Sequence, residues 1–284
     1  MSLHNDYALV VALDTSTDML ACAASWTDGQ TGEAKLVSGD HMCRRHANVE
    51  LVNTVDSVLA QVGMDRADVG SYVVGRGPGS FTGVRIGIST AKGLARGANV
   101  PLLGVSTLDA CAWTVWKAGV RGKLGILADA MRGEVYPALY VLSDEGPERQ
   151  FEREHVVKAA VALDEWRQAA DWDQVQLTGD GLVRYGKLLG EDEAARCVER
   201  DLWWPSGEGL LLAHAAGDGD PARVLPIYTR LSDAEENERK RLGLAESAQS
   251  EITGVADELA GRPLQFRPMG AADAEGARCL IYTS

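Results

Sequence analysis

The order of apolar and polar segments along the chain predicts alternating strands and helices. Residues 7–13, 19–26, 71–74 and 101–105 are apolar runs of strand length. Such runs are typical of strands that are buried on both faces. Between them, residues 47–62 carry apolar side chains at steps of three and four, which predicts an amphipathic helix. A weaker strand is predicted at 34–38, and a helix capped by Ser106 or Thr107 is predicted to run through Trp116.

The same order begins again in the second half of the chain. The apolar run at 123–128 ends at Asp129, as the run at 7–13 ends at Asp14. A second apolar run follows each aspartate, so two hairpins are predicted. We therefore expect an α/β fold with two similar lobes, residues 1–104 and 105–225. The remaining predictions are strands at 133–141 and 175–178, helices at 159–169, 182–189 and 207–216, and a loop over 143–154.

A glycine-rich loop separates the strand at 71–74 from a helix predicted to start near Val84. Glycines allow backbone conformations that other residues avoid, and Ser80 or Thr82 can cap the helix. A strand, a glycine loop and a helix N-terminus together also resemble an anion cradle. The loop consists of Gly75, Gly77, Pro78, Gly79, Ser80, Phe81, Thr82 and Gly83.

Small residues recur on the helix that follows this loop. Gly83, Gly87, Ala91 and Ala95 stand at every fourth position, so they share one side of the helix. Such a stripe allows a close neighbour, because the side chains at a contact set the distance between helices. The loop and helix are therefore either a phosphate site or a packing and partner surface. The glycine spacing matches neither a Walker A loop nor a dinucleotide fingerprint.

Composition narrows the class of protein. The chain has 284 residues, 45% of them apolar, and a net charge of −13. Because polyanions are repelled by such a chain, direct nucleic-acid binding is disfavoured. Its five cysteines are scattered without a Cys-x-x-Cys pair, which favours reduced thiols. No basic segment precedes the first apolar run, so we expect neither a signal peptide nor a membrane span. The expected protein is soluble and cytoplasmic.

Histidines and cysteines give little support for a metal site or a hydrolase. The sequence contains no His-x-x-x-His pair. His41, Cys43 and His46 lie within six residues, but no fourth ligand stands at a useful spacing, so no metal is expected. A Gly-x-Ser-x-Gly elbow is also missing, which disfavours a serine hydrolase.

The repeated strand, aspartate and hairpin resemble the actin-like ATPase superfamily. In that superfamily two ribonuclease-H-like lobes enclose a nucleotide, and aspartates at the first hairpin of each lobe hold metal and phosphates. The resemblance implies a nucleotide site at Asp14, Thr15, Ser16 and Asp129, although Asp and Ser also cap ordinary turns. An adenine loop is not recognisable beyond a thin match at 179–181. We therefore expect a vestigial site rather than autonomous ATP hydrolysis.

Several local strings resemble one branch of that superfamily, the bacterial TsaB (YeaZ) family. The longest is GRGPGSFTGVRIG, which starts at Gly75. ALDTS from Ala12, RHANVEL from Arg45, ADAMRGEVY from Ala128 and PIYTR from Pro226 resemble other family segments. The resemblance covers about residues 7–242. Relatives often have arginine directly after Asp-Ala, where this chain has Met131, so the contact of that arginine is not carried over.

The family resemblance implies a non-catalytic scaffold subunit. Such a subunit binds and activates TsaD, which with the ATPase TsaE installs threonylcarbamoyl on the adenosine beside the anticodon. It also implies a homodimer in isolation, tRNA contact only through the complex, no cofactor held by this chain alone, and ATP or ADP at the partner interface. Packing within the chain is the alternative for the stripe of Gly87, Ala91 and Ala95. An ATPase or phosphotransferase using Asp14 and Asp129 is the alternative function. The implied partner interface consists of His46, Leu51, Val55, Val58, Leu59, Arg85, Gly87, Ala91 and Ala95.

The C-terminal part departs from the family pattern. Residues 226–243 are predicted to form a helix that returns to the first lobe, and residues from 244 are linker-like. Residues 263–280 resemble the opening strand and helix of a GNAT acetyltransferase. The segment 244–284 is therefore either a linker with the start of a truncated RimI-type fusion or a plain tail.

Overall fold

The computed structural model describes residues 9–44, 46–150, 156–169, 171–217, 224–227 and 241. Both sheets belong to one compact unit, Met1–Leu231. Of the second unit, Ser232–Ser284, only Arg241 is among the described residues. The predicted linker and acetyltransferase start lie outside the described residues, as does most of the predicted helix at 226–243.

The first sheet is built around the first strand of the chain. Its order is β3-β2-β1-β5-β6, with β4 paired to β2. Strand β1 pairs antiparallel with β2 and parallel with β5, so a hairpin is joined to a parallel crossover. The strands are β1 (Leu9–Asp14), β2 (Met19–Thr27), β3 (Ala34–Ser38), β4 (His41–Met42), β5 (Val69–Gly75) and β6 (Leu102–Val105).

Helices cover both faces of this sheet. Strand β1 alternates between the faces: Leu13 packs with α1 (Ala47–Ala60) and α2 (Phe81–Ala98), whereas Ala12 packs with α3 (Thr107–Lys117) and α7 (Gly207–Ala216). Helix α7 is contributed from almost two hundred residues farther along the chain. Among the described residues, no helix is long and apolar enough to cross a bilayer.

The second sheet repeats the arrangement of the first. Strand β7 pairs antiparallel with β8 and parallel with β11, in the order β10-β8-β7-β11 with β9 on β8. Helix α3 packs on one face and α4 on the other. The repeat confirms the predicted α/β fold with two ribonuclease-H-like lobes. The elements are β7 (Gly122–Asp129), β8 (Glu134–Leu142), β9 (Pro147–Arg149), β10 (Val157–Lys158), β11 (Gln176–Thr178), α4 (Ala159–Arg167), α5 (Leu182–Tyr185) and α6 (Glu191–Ala194).

Most predicted elements are present, with small differences at their ends. Helix α2 begins at Phe81, three residues before the predicted start, because the Ser80 hydroxyl accepts a hydrogen bond from Gly83 N at 3.3 Å and caps the helix there. The predicted loop at 143–154 contains the short strand β9. Strands β4 and β10 and helix α6 were not predicted, because two to four residues are too few to show a period.

Candidate functional site

Asp14, at the end of β1, is the centre of the predicted nucleotide site. Its side chain is buried, with 1% of the residue exposed. Oδ1 accepts a hydrogen bond from Ser16 N, and Oδ2 accepts one from Thr107 Oγ1, both at 2.6 Å. Burial raises the pKa of the Asp14 carboxyl, and these hydrogen bonds partly oppose that rise. Both carboxylate oxygens are therefore engaged within the chain.

Thr107 joins Asp14 to the glycine loop and was missed as a site residue. The sequence indicated it only as a helix cap, yet it is the first residue of α3 and is buried. Its hydroxyl donates to Asp14, so its oxygen is left to accept from Gly77 N at 3.1 Å. The Ser16 hydroxyl lies 3.1 Å from the same oxygen. No local sequence signal places Thr107 here, because it lies 93 residues from Asp14.

The glycines of the loop are packed directly against the Asp14–Ser16 turn. A Cβ at Gly75 would overlap the Asp14 carboxylate, and a Cβ at Gly83 would overlap the carbonyl oxygen of Thr15. Thr15 Oγ1 donates to Gly83 O at 2.7 Å, and Ser80 N donates to Ser16 O at 2.6 Å. The space beside these loop glycines is thus filled by the Asp14–Ser16 turn of the chain itself. The packing interpretation of this loop is the one that its contacts support.

Asp129, at the end of β7, is also held by its own lobe. Its Oδ1 accepts hydrogen bonds from Met131 N at 2.8 Å and from the Tyr185 hydroxyl at 3.1 Å. Its Oδ2 forms an ion pair with Arg184 Nε at 2.6 Å. The side chain is 10% exposed. A cation at Asp129 would therefore have to displace an arginine.

The turn at 179–181, which the sequence offered as a thin match to an adenine loop, is hydrogen-bonded to the C-terminal end of β7. Gly181 N donates to Leu127 O at 2.9 Å, and Asp180 Oδ1 accepts from Asp129 N at 2.8 Å. Burial, with a smaller contribution from the nearby charges of Asp129 and Asp18, raises the pKa of Asp180 to about 7. Asp18 lies in the β1–β2 turn, so the hairpin ends of the two lobes are close enough to interact.

The apolar residues predicted for the partner interface lie in the core of the first lobe instead. Ala91 has no exposed surface, and a Cβ at Gly87 would lie 2.8 Å from Thr15 Oγ1. These side chains are already packed within the chain, so their burial favours packing within the first lobe, and the interface on the two helices stays a prediction. The residues that are packed in this way are Leu51, Val55, Val58, Leu59, Gly87, Ala91 and Ala95. His46 and Arg85 are exposed and stay a prediction.

Other apolar side chains are exposed at the same end of the lobe. Val49 is 64% exposed in the first turn of α1, and Phe81 is 37% exposed at the start of α2. Met42, in β4, is 44% exposed. Because α1 and α2 each lead into parallel strands of one sheet, their N-termini lie at the same sheet edge. We call Met42, Val49 and Phe81 the first-lobe apolar patch.

Each of the two sheets has a hairpin, a parallel crossover and an aspartate at the end of its first strand. This arrangement defines a two-lobed protein of the actin-like ATPase fold. The solved structure of YeaZ from Pseudomonas aeruginosa superimposes with a TM-score of 0.61 at 28% identity, over 78% of this chain and 99% of that one. The family model described as TsaD, tRNA N6-adenosine threonylcarbamoyltransferase, matches residues 41–172.

Curated relatives agree with the structural comparison. The tRNA threonylcarbamoyladenosine biosynthesis protein TsaB of Escherichia coli is 33% identical over 204 residues, which is 71% of this chain and 84% of that protein. The TsaB of Bacillus subtilis is 35% identical over 134 residues, 46% of this chain and 54% of that protein. The chain therefore belongs to the TsaB (YeaZ) family, as its sequence motifs predicted.

Proposed function

We propose that this chain acts in tRNA threonylcarbamoyladenosine biosynthesis as a non-catalytic subunit that binds and activates TsaD. The names of its relatives support the pathway. The closed site at Asp14 supports the absence of catalysis by this chain. Both oxygens of that carboxylate accept hydrogen bonds from the chain itself, and the glycine loop around it is filled by Thr15 and Ser16.

A nucleotide-hydrolysing site requires carboxylate oxygens that are free for a metal or for metal-bound water. Asp14 is buried, and Asp129 is paired with Arg184. We therefore expect the isolated chain to hydrolyse ATP no faster than a buffer blank. The alternative, an autonomous ATPase or phosphotransferase, would be supported by hydrolysis that Asp14→Asn and Asp129→Asn both abolish.

The first-lobe apolar patch is the proposed contact with TsaD. Exposed apolar side chains grouped on one surface are typical of protein–protein interfaces. The exposed residue Arg85 lies beside the patch, with its guanidinium carbon 4.0 Å from the centre of the Phe81 ring, and His46 lies at the N-terminal cap of α1. We propose that the same surface forms a homodimer when TsaD is absent. TsaE would join the larger complex, and ATP or ADP would bind at the partner interface.

The tRNA is proposed to contact the complex through other subunits. A net charge of −13 on this chain repels a phosphate backbone. Addition of tRNA to the isolated chain should therefore give no retained complex at physiological salt.

A pair of matched valine substitutions tests the proposed contact. Val49→Asp places a charge in the patch, whereas Val183→Asp places one at a similarly exposed valine, 52% exposed, in the second lobe. We expect Val49→Asp to weaken TsaD binding by about tenfold or more, because a buried interface charge costs at least about 1.4 kcal/mol. Val183→Asp should bind as the unmodified chain does. Equal titration calorimetry results for the two variants would contradict the assignment.

A further inference from the structure

Three side chains of different chemistry converge where β4 leads into α1. His41 lies in β4, Cys43 is the first residue after that strand, and Glu50 stands in the first turn of α1. One ligand atom from each lies within 4.8 Å of the other two. We propose that His41, Cys43 and Glu50 bind a divalent cation of the zinc class. This site was not predicted from sequence, because Glu50 is brought to it only by the fold.

The distances suit tetrahedral coordination after a small adjustment. His41 Nε2 lies 2.9 Å from Glu50 Oε2, and Cys43 Sγ lies 3.3 Å from the same oxygen. Zinc bonds of about 2.0–2.3 Å at tetrahedral angles separate neighbouring ligand atoms by about 3.3–3.6 Å. Glu50 Oε2 therefore needs to move away from each of the other two ligand atoms by only a few tenths of an ångström, and His41 Nε2 and Cys43 Sγ lie within 4.8 Å of each other.

The imidazole of His41 is already oriented as a metal ligand. Its Nδ1 lies 2.9 Å from the carbonyl oxygen of Gly39. A carbonyl oxygen only accepts, so Nδ1 carries the hydrogen and Nε2 faces Glu50. A backbone carbonyl bound to the second ring nitrogen is the usual way in which proteins fix a histidine that binds metal.

The backbone that carries these ligands is held in place without an ion. Strand β4 pairs with β2, through Leu20 opposite His41, and Cys43 N donates to Asp18 O at 2.8 Å. Cys43 is buried, while His41 and Glu50 are half-buried beside a cavity of about 250 Å³. Asn53 and Thr54 also line that cavity. Water from it can complete the coordination as a fourth ligand.

The chemistry of the three ligands selects the class of ion. A thiolate with an imidazole favours zinc and related transition metals over magnesium or calcium, which prefer oxygen ligands. Cys43 Sγ, which donates to Glu50 in the metal-free chain, releases its proton to solvent when the ion binds. The resulting thiolate and the Glu50 carboxylate balance the charge of a divalent ion, so the occupied site carries no net charge in this partly buried position. We therefore expect Zn²⁺ and Co²⁺ to bind and Mg²⁺ not to compete.

Cobalt titration of the full, untagged chain tests the site. Binding should saturate at one ion per chain with a thiolate-to-cobalt absorption band, and Zn²⁺ should displace the cobalt. Cys43→Ser should abolish the band, and Glu50→Gln should weaken binding by about 100-fold. Cys197→Ser, a half-buried cysteine of the second lobe, is the matched control and should bind as the unmodified chain does.

Two results would overturn the proposal. One is a cobalt titration of the unmodified chain in which no thiolate-to-cobalt band appears, or in which the Cys43→Ser and Cys197→Ser variants give the same band. The other is unchanged affinity in Glu50→Gln. Because Cys43 is buried and its substitution can disturb folding, Glu50→Gln at the half-exposed carboxylate decides the matter if Cys43→Ser does not fold.

Discussion

Alanine at Gly83 should destabilise the first lobe, whereas alanine at Gly93 of the same helix should stabilise it. A Cβ at Gly83 would overlap the Thr15 carbonyl oxygen and lie 3.0 Å from its carbon, and nothing lies within 4 Å of a Cβ at Gly93. Carbon contacts are most favourable at about 3.5–4.0 Å. The backbone of the Asp14–Ser16 turn would therefore have to move to accommodate alanine at Gly83.

The expected magnitudes follow from these contacts. Overpacking at Gly83 costs about 1–3 kcal/mol, and loss of the 2.7 Å hydrogen bond from Thr15 Oγ1 to Gly83 O costs about 1 kcal/mol more. Alanine returns about 1 kcal/mol of helix propensity at either position. The free energy of unfolding should thus fall by about 1–3 kcal/mol for Gly83→Ala and rise by about 1 kcal/mol for Gly93→Ala.

Urea unfolding followed by circular dichroism measures both variants against the unmodified chain. The comparison within one helix removes general effects of glycine replacement, so the difference between the variants reports the contact with Thr15. If Gly83→Ala and Gly93→Ala are stabilising to the same extent, the loop does not enclose the Asp14–Ser16 turn, and the argument that this site is closed fails with it.

Two further predictions concern polar side chains that are hydrogen-bonded within the chain. Thr107→Val should lower the free energy of unfolding by about 3 kcal/mol, because it leaves Asp14 Oδ2 and Gly77 N without the Thr107 hydroxyl. Thr107→Ser keeps both hydrogen bonds and is the control. Equal melting temperatures for the two variants would count against this network. Asp180→Asn should gain stability over the unmodified chain as pH rises from about 4 to 7, by at most about 4 kcal/mol. In the folded chain the pKa of Asp180 is raised from 3.8 to about 7. As pH rises through this range, the unfolded chain loses the Asp180 proton before the folded chain does, so the unmodified chain becomes less stable. A constant difference between pH 4 and pH 8 in chemical unfolding would refute it.

The strands and long helices were predictable because their apolar residues repeat over many positions. Strand β3 and helix α7 have the predicted bounds. The aspartates at the ends of β1 and β7 were also placed correctly, since a polar residue after an apolar run marks a strand end.

The sequence could not identify the neighbours of the small-residue stripe on α2. A stripe containing Gly87 and Ala91 indicates a close contact but does not distinguish the chain's own sheet from a partner. Here the contact is with Thr15 and the core of the first lobe. The pairing of Thr107 with Asp14, and the approach of Glu50 to His41, also depend on tertiary structure, because neither leaves a mark in local spacing.

The position of α7 determines when the first lobe can finish folding during synthesis. Leu210 and Ala213 cover Ala12, Ala21 and Val73 on one face of the first sheet, and Gly207 N donates to Asp40 Oδ1 at 2.9 Å. A ribosome that has made only the first sheet and its two nearest helices has therefore produced a sheet with one apolar face uncovered. Helix α3 covers part of that face, but the rest stays open until α7 has emerged, so the amino-terminal lobe matures only after most of the second lobe has been made.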